Sequence, residues 1–187
     1  MPAKVSKSYK RRTVKKFKKP VSVFASWKTD TENVREKCLY DHDFLHWKLE
    51  KFIKDSEQRN LIEDLFYDYF FFLKGCFLEV AAETAWPCLT SLGFASFCQR
   101  AGLVDNVHLN LSDIDRTFIA ARLEEGTAKK QNSIVRFMFF EAVARISIKR
   151  FYDGGKGECT GPAEAVAKAI EVMKESWKFD NWEQFRW

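Results

Sequence analysis

No stretch of 18 apolar residues occurs in this 187-residue chain, and its first residues carry charge where a secretory leader would carry an apolar core. Neither a membrane span nor entry to the secretory route is therefore expected. Glycine is scarce, with eight residues beside eighteen phenylalanines, which argues for helices over a turn-rich β fold. The five cysteines, Cys38, Cys76, Cys88, Cys98 and Cys159, are odd in number and show no CxxC spacing. They suggest neither a disulfide framework nor a zinc ribbon, and a reducing compartment is the expected setting.

Histidine is scarcer still. His42 and His46 are four residues apart, a spacing that can put two imidazoles on one helix face, but two ligands do not make a zinc site. The expected reading is helix-surface histidines beside Trp47, with no bound metal. His108 stands in a polar stretch. Three histidines nominate no Ser/His/Asp or Cys/His set, so no catalysis, cofactor or small-molecule substrate is expected. The GGKG run is not a phosphate loop, because Gly157 stands where Ser or Thr should follow the lysine.

Acid is missing from residues 1–28, which hold ten Lys or Arg. The net charge of +5, less those ten, leaves −5 on residues 29–187. The basic character belongs to this arm, where Lys10, Arg11, Arg12, Lys15, Lys16, Lys18 and Lys19 form the densest cluster. Without a helical apolar stripe, and with a break at Pro20, the arm is expected to be disordered alone and to extend along a partner. Its charge suits nucleic acid, an anionic membrane or the acidic outer face of a microtubule equally well.

Residues 29–187 are 159 in number and rich enough in apolar side chains for one helical domain. From Asp41 the pattern turns helical through Phe44, Leu45, Leu49, Phe52 and Ile53, then breaks at the polar run Asp55 to Arg59. A longer helix is expected from about Asn60 to Ala82, with Ile62, Leu65, Phe66, Tyr69, Phe70, Leu73, Phe77 and Val80 on a wide stripe. Within it FYDYFFF is aromatic nearly all round. Phe70, Phe71 and Phe72, with Trp182 and Trp187 near the C-terminus, are expected to meet a partner or another layer of the domain.

Two segments share a further pattern. In TAKKQNSIVRFMFF a polar loop leads through Ile134 into a helix; in AETAWPCLTSLGF a break at Pro87 and a short extended CLT lead through Leu89 into another. An EF-hand loop places oxygen ligands at positions 1, 3 and 5, an apolar residue at 8 that pairs with a sister loop, and a bidentate Glu at 12. With Ile134 at position 8, the ligand positions hold Thr127, Lys129, Gln131 and Met138; with Leu89 there, they hold Ala82, Thr84, Trp86 and Gly93. Neither loop offers a carboxylate at these ligand positions, so calcium binding is not expected and Leu89 and Ile134 are expected to pair as a short ladder. Between the loops, Ser112 reads as the N-cap of a helix with Asp115 three residues on and Ile114, Phe118 and Ala121 buried. After the second loop Phe137, Phe140, Ala144, Ile148 and Phe151 form the apolar face, with Glu141 and Arg145 a favourable i,i+4 pair. Pro162 at a helix start, with Glu164 close behind, opens a last helix over about 161–180. The expected fold is mainly α: an EF-hand-like pair of helix-loop-helix units over about 82–151, extra N-terminal helices, and the basic arm.

The segments FASFCQRAGL, LSDIDRTFIAAR and VRFMFFEAVARISIKRF, followed by WEQFR, resemble a family of calcium-free EF-hand-like proteins of ciliated and flagellated protists that includes axonemal proteins. The resemblance covers about residues 58–187. Its most specific part is Arg136, Phe137, Phe139, Glu141, Ala142, Arg145 and Ile146, with Phe118 to Ala120 also corresponding and Met138 standing where the family has Glu. It implies a non-catalytic structural protein of the cytoplasm and cytoskeleton, in the axoneme of a cilium or flagellum, with tubulin or axonemal proteins as partners. Two other readings fit parts of the same sequence: a nucleic-acid-associated accessory subunit, for instance of a ribosomal particle, and a calcium-responsive EF-hand regulator. Ligand count separates the last from the first. Met138→Glu is expected to leave the chain without calcium heat in isothermal titration up to about 1 mM, since positions 1, 3 and 5 still lack acids; stoichiometric binding there would show the loop register to be wrong.

Overall fold

A computed structural model describes residues 38–84, 86–122 and 132–179. The chain divides into two compact units, Met1–Leu45 and His46–Trp187. The division falls inside the helical residues 38–46 (α1), whereas the change in charge lies at residue 28. In the first unit the rings of Tyr40 and Phe44 stack one helical turn apart, with centroids 6.1 Å from each other.

In the second unit a 3-10 turn, Leu49–Lys51, precedes α2 (Ser56–Asp68) and α3 (Phe70–Thr84). The expected run of helix through Phe52 and Ile53 is therefore replaced by a tight turn. The polar stretch begins the next helix instead of merely separating two, because Asp55 caps α2 by accepting the Glu57 N–H at 2.8 Å. Nor is the following helix continuous: Tyr69 leaves helical geometry at φ −106°, ψ 17°, while the Tyr69 N–H still reaches the Leu65 carbonyl and its own carbonyl accepts from Leu73. The outcome is a break in one residue's torsions with the hydrogen-bond ladder carried across it.

Next come β1 (Leu89–Thr90), α4 (Ser91–Arg100), α5 (Leu111–Arg122), β2 (Ser133–Ile134) and α6 (Arg136–Phe151). A 3-10 turn, Asp153–Gly155, then leads to α7 (Pro162–Ser176). The two strands form an antiparallel two-stranded sheet, with Leu89 opposite Ile134 and Thr90 opposite Ser133. Thr90 also caps α4 through the Gly93 N–H, at 3.1 Å. The α5 cap differs from the expected Ser112: Asn110 Oδ1 accepts the Asp113 N–H at 3.0 Å and Asp113 accepts the Asn110 N–H at 3.3 Å, a reciprocal capping box. Asp115 is left to accept from the Ser91 hydroxyl, 3.0 Å away on α4.

Helix α4 ends as its sequence dictates. The Gly102 N–H donates to the Gln99 carbonyl and the Leu103 N–H to that of Cys98, with Gly102 at φ +69°, a Schellman motif that an L side chain would strain. Helix α7 opens on Pro162 with Gly161 at its cap, and Gln58 of α2 accepts the Ala163 N–H at 3.0 Å. It closes at Ser176, where Trp177 turns extended, short of the expected residue 180.

Helix α6 is the centre of the second unit, in contact with α3, α5 and α7. Five positions, Phe137, Phe140, Ala144, Ile148 and Phe151, were expected to make one apolar face. Instead the helix is buried nearly all round: Met138, Phe139, Phe140, Ala142, Val143, Ala144, Ile146 and Phe151 are all in the core, while Phe137 and Ile148 are only half-buried. Two adjacent rings organise what surrounds it. Phe139 lies 4.8 Å from Phe97, 5.5 Å from Phe77 and 6.2 Å from Phe94. Phe140, perpendicular to it, lies 5.2 Å from Phe66, 5.5 Å from Trp47 and 5.6 Å from Phe70. Phe139→Ala is expected to cost about 3–5 kcal/mol, read as a lower denaturation midpoint at unchanged slope in urea; a loss below about 1 kcal/mol would mean the ring is not central.

Candidate functional site

The strand pair and the helices that flank it are the part of the chain whose sequence most suggests a binding role. Leu89 and Ile134 are both fully buried, and their backbones join the loop before α4 to the loop before α6. At the position where a calcium loop needs its bidentate Glu, the first loop has Gly93. A Cβ there would lie 2.8 Å from Leu89 Cδ1, 3.0 Å from Thr84 Cγ2 and 3.1 Å from Thr84 Oγ1, so the space where a side chain would start is filled by Leu89 and Thr84. Thr84 is itself turned back on α3, its hydroxyl donating to the Val80 carbonyl at 3.0 Å. In the second loop the same position holds Met138, buried in the core. Thr127, Lys129 and Gln131 lie outside the described residues. No group of three or more His, Cys, Asp or Glu side chains that could hold a metal occurs among the described residues.

The expected contact residues fall in several places. Lys10, Arg11, Arg12, Lys15, Lys16, Lys18 and Lys19 of the arm, and Trp182 and Trp187, lie outside the described residues. Phe70 is fully buried against Phe140, so it is a core ring rather than a surface one. Phe71 and Phe72 are half-buried: Lys74 sits 5.5 Å from the centroid of Phe71, and Phe72 meets Phe179 edge to face at 5.8 Å. Phe179 covers Gly75, with ring carbons 3.0 Å from where a Cβ would stand. His42 approaches Asp43 at 3.4 Å, and His46 lies against the Phe137 ring with centroids 5.0 Å apart.

Two polar clusters were not anticipated. In the first, Arg100 of α4 binds Glu79 and Glu83 of α3 and lays its guanidinium 4.3 Å from the Trp177 ring, whose Nε1–H donates to Glu79 at 3.2 Å. This ties the segment after α7 to the α3–α4 pair. The second is built on Asp105, which accepts the backbone N–H groups of Val107, His108 and Leu109 at 3.1, 2.9 and 2.8 Å. It also meets His108 Nδ1 at 2.9 Å and Arg150 of α6 at 3.0 Å. Asn106, at φ 58°, makes the turn that aims these N–H groups inward. The only sequence signal was the turn-forming pair Asp105 and Asn106; nothing marked Arg150 as the distant partner.

A third buried pair was legible. Glu141 accepts from Arg145 at 2.8 Å, and the Arg145 guanidinium lies 3.9 Å from the Phe52 ring. Its carboxylate is taken up by structure and not left for chemistry. All five cysteines are free; burial pushes the Cys76, Cys98 and Cys159 thiols up, away from the thiolate form that reacts, while Cys38 is exposed and Cys88 half-buried. Comparison of the chain with protein-family models, with curated proteins and with solved structures finds no match.

Burial alone would raise the Asp105 carboxyl, but the Leu109 N–H, the His108 ring and the N–H groups of His108 and Val107 together hold it well below the usual carboxylate range. A carboxylate lowered by folding contributes stability above its unfolded value, near pH 4, and that contribution is lost as pH falls toward the folded one. Asp105→Asn should therefore destabilise by about 1–3 kcal/mol at pH 7, with the gap from the parent protein shrinking below about pH 4. Urea unfolding at pH 7 and pH 3 reads it; a gap that stays constant would show that charge is not what the loop uses.

Proposed function

We propose that this chain is a non-catalytic docking protein of the cytoskeleton, an EF-hand-like module without calcium chemistry, held on ciliary or flagellar axonemal microtubules by its basic arm. The observation that carries the reading is the pair of helix–strand–helix halves joined at Leu89 and Ile134, in which Gly93 and Met138 occupy the places of the metal-binding acids. A pair of loops held together by packing favours a constant shape over a calcium response, which supports the docking reading over the regulator one. The resemblance of residues 58–187 to calcium-free axonemal proteins supplies the setting.

The arm supplies the attraction. Ten basic residues without an acid suit the acidic outer surface of tubulin, whereas residues 29–187, at −5, would be repelled by it. Half-buried Phe71 and Phe72 offer the domain's own apolar contribution. The arm's share should be screened by salt, and the apolar share should not.

Co-sedimentation with taxol-stabilised microtubules separates these parts. Deleting residues 1–28 should weaken binding about ten- to hundredfold at low salt and remove most of its salt dependence, and trimming the tubulin tails with subtilisin should act alike. Tighter binding of the arm to RNA than to microtubules at equal ionic strength would replace this function with the nucleic-acid-associated one. No effect of the deletion on either would remove the arm from the binding mechanism.

A further inference from the structure

Helix α5 buries Ile114, Phe118 and Ala121, and turns a second stripe outward. Leu111, Asp115, Ile119 and Arg122 recur at i, i+4, i+8 and i+11, so they line one face. Leu111 is 49% exposed and Ile119 50%. Beside them, at the start of α4, Leu92 is 80% exposed, and its neighbour Ser91 is bonded to Asp115. These side chains make the outer surface of the α4–α5 pair apolar at its middle, with opposite charges on either side of Ile119.

That charge order is self-complementary. Asp115 lies about 6 Å along the helix axis on one side of Ile119, and Arg122 about 4.5 Å on the other. If two copies of α5 cross antiparallel about a two-fold axis through Ile119, each Asp115 meets the other copy's Arg122 to within the reach of an arginine side chain. Leu92 of each copy then flanks the seam. The arginine is already oriented, since its Nη1 donates to Asn132 at 2.8 Å, and its remaining donors suit a carboxylate. A partner that carries the same pattern in the same register is, most simply, this chain itself, and reciprocal contacts of this kind define isologous dimers.

We infer that the α4–α5 face is a homodimer interface in which Ile119 packs on Ile119 of a second copy and Asp115 pairs with Arg122 across the axis. It is small and charged, so it belongs with weak associations in the range of about 10–100 µM. A two-fold unit carries two basic arms, which would strengthen attachment to any repeating acidic surface without a new contact.

Sedimentation equilibrium of the full chain tests this. The parent protein should show a monomer–dimer equilibrium. Asp115→Arg should weaken it about tenfold or more, and the charge-swapped pair Asp115→Arg with Arg122→Asp should recover it to within about threefold. Ile119→Lys, or the milder Ile119→Ser, should leave monomer, while Leu61→Lys, which changes another exposed leucine on α2, should leave the equilibrium unchanged. Circular dichroism melts show whether each variant is folded. A parent protein that stays monomeric to about 500 µM, or a swapped pair that does not recover, overturns the proposal.

Discussion

The right angle between the rings of Phe139 and Phe140 is what the second unit is assembled around. Two neighbouring positions on a helix point about 100° apart, so adjacent aromatics cannot share one partner surface. Each gathers its own cluster: Phe139 collects the rings of α3 and α4, and Phe140 collects Trp47 and the rings where α2 gives way to α3. Phe139 and Phe140 join the two clusters directly, with ring centroids 6.2 Å apart. Trp177 then extends the Phe139 side, lying 5.5 Å from Phe97 and reaching Phe179. Edge-to-face rings add about 0.5–1.5 kcal/mol each beyond the area they bury, and they fix angles as well as distances.

A core so rich in large planar groups leaves little freedom to the polar groups at its border, and two arginines there join acids to rings. Arg145 is sandwiched between Glu141 and the Phe52 ring; Arg100 joins two acids of α3 to a tryptophan beyond α7. Arginine suits both places because its flat cation stacks on a ring while its edge donates to a carboxylate. Removing the acid from either group would leave a cation against an apolar face, so these pairs fix how helices meet even where their net stabilisation is small.

Local chemistry was legible in the sequence wherever one residue settles the outcome. Pro162 starts α7. Leu89 and Ile134, each at position 8 of its loop, stand opposite one another in the ladder. Where two choices compete, the sequence is silent. Asn110 with Asp113 and Ser112 with Asp115 satisfy the same capping spacing, and what decides is Ser91, a residue on another helix that takes Asp115 for itself. The face of α6 was misjudged for a related reason: periodicity finds one apolar stripe, but this helix has neighbours on several sides. Of the Asp105 cluster the sequence shows only the turn-forming pair Asp105 and Asn106, because three of its partners are backbone groups aimed by the conformation of Asn106 and another is 45 positions away. The aromatic run through Tyr69 likewise gave no sign of its break, since ring periodicity continues across it.

Gly93 carries a consequence for mechanics. With Leu89 and Thr84 pressed into the space where a side chain would stand, α3, β1 and α4 meet through atoms in van der Waals contact. A movement of α3 against α4 has to unpack those atoms first, so force on one helix passes to the other through side-chain contact and not through the backbone alone.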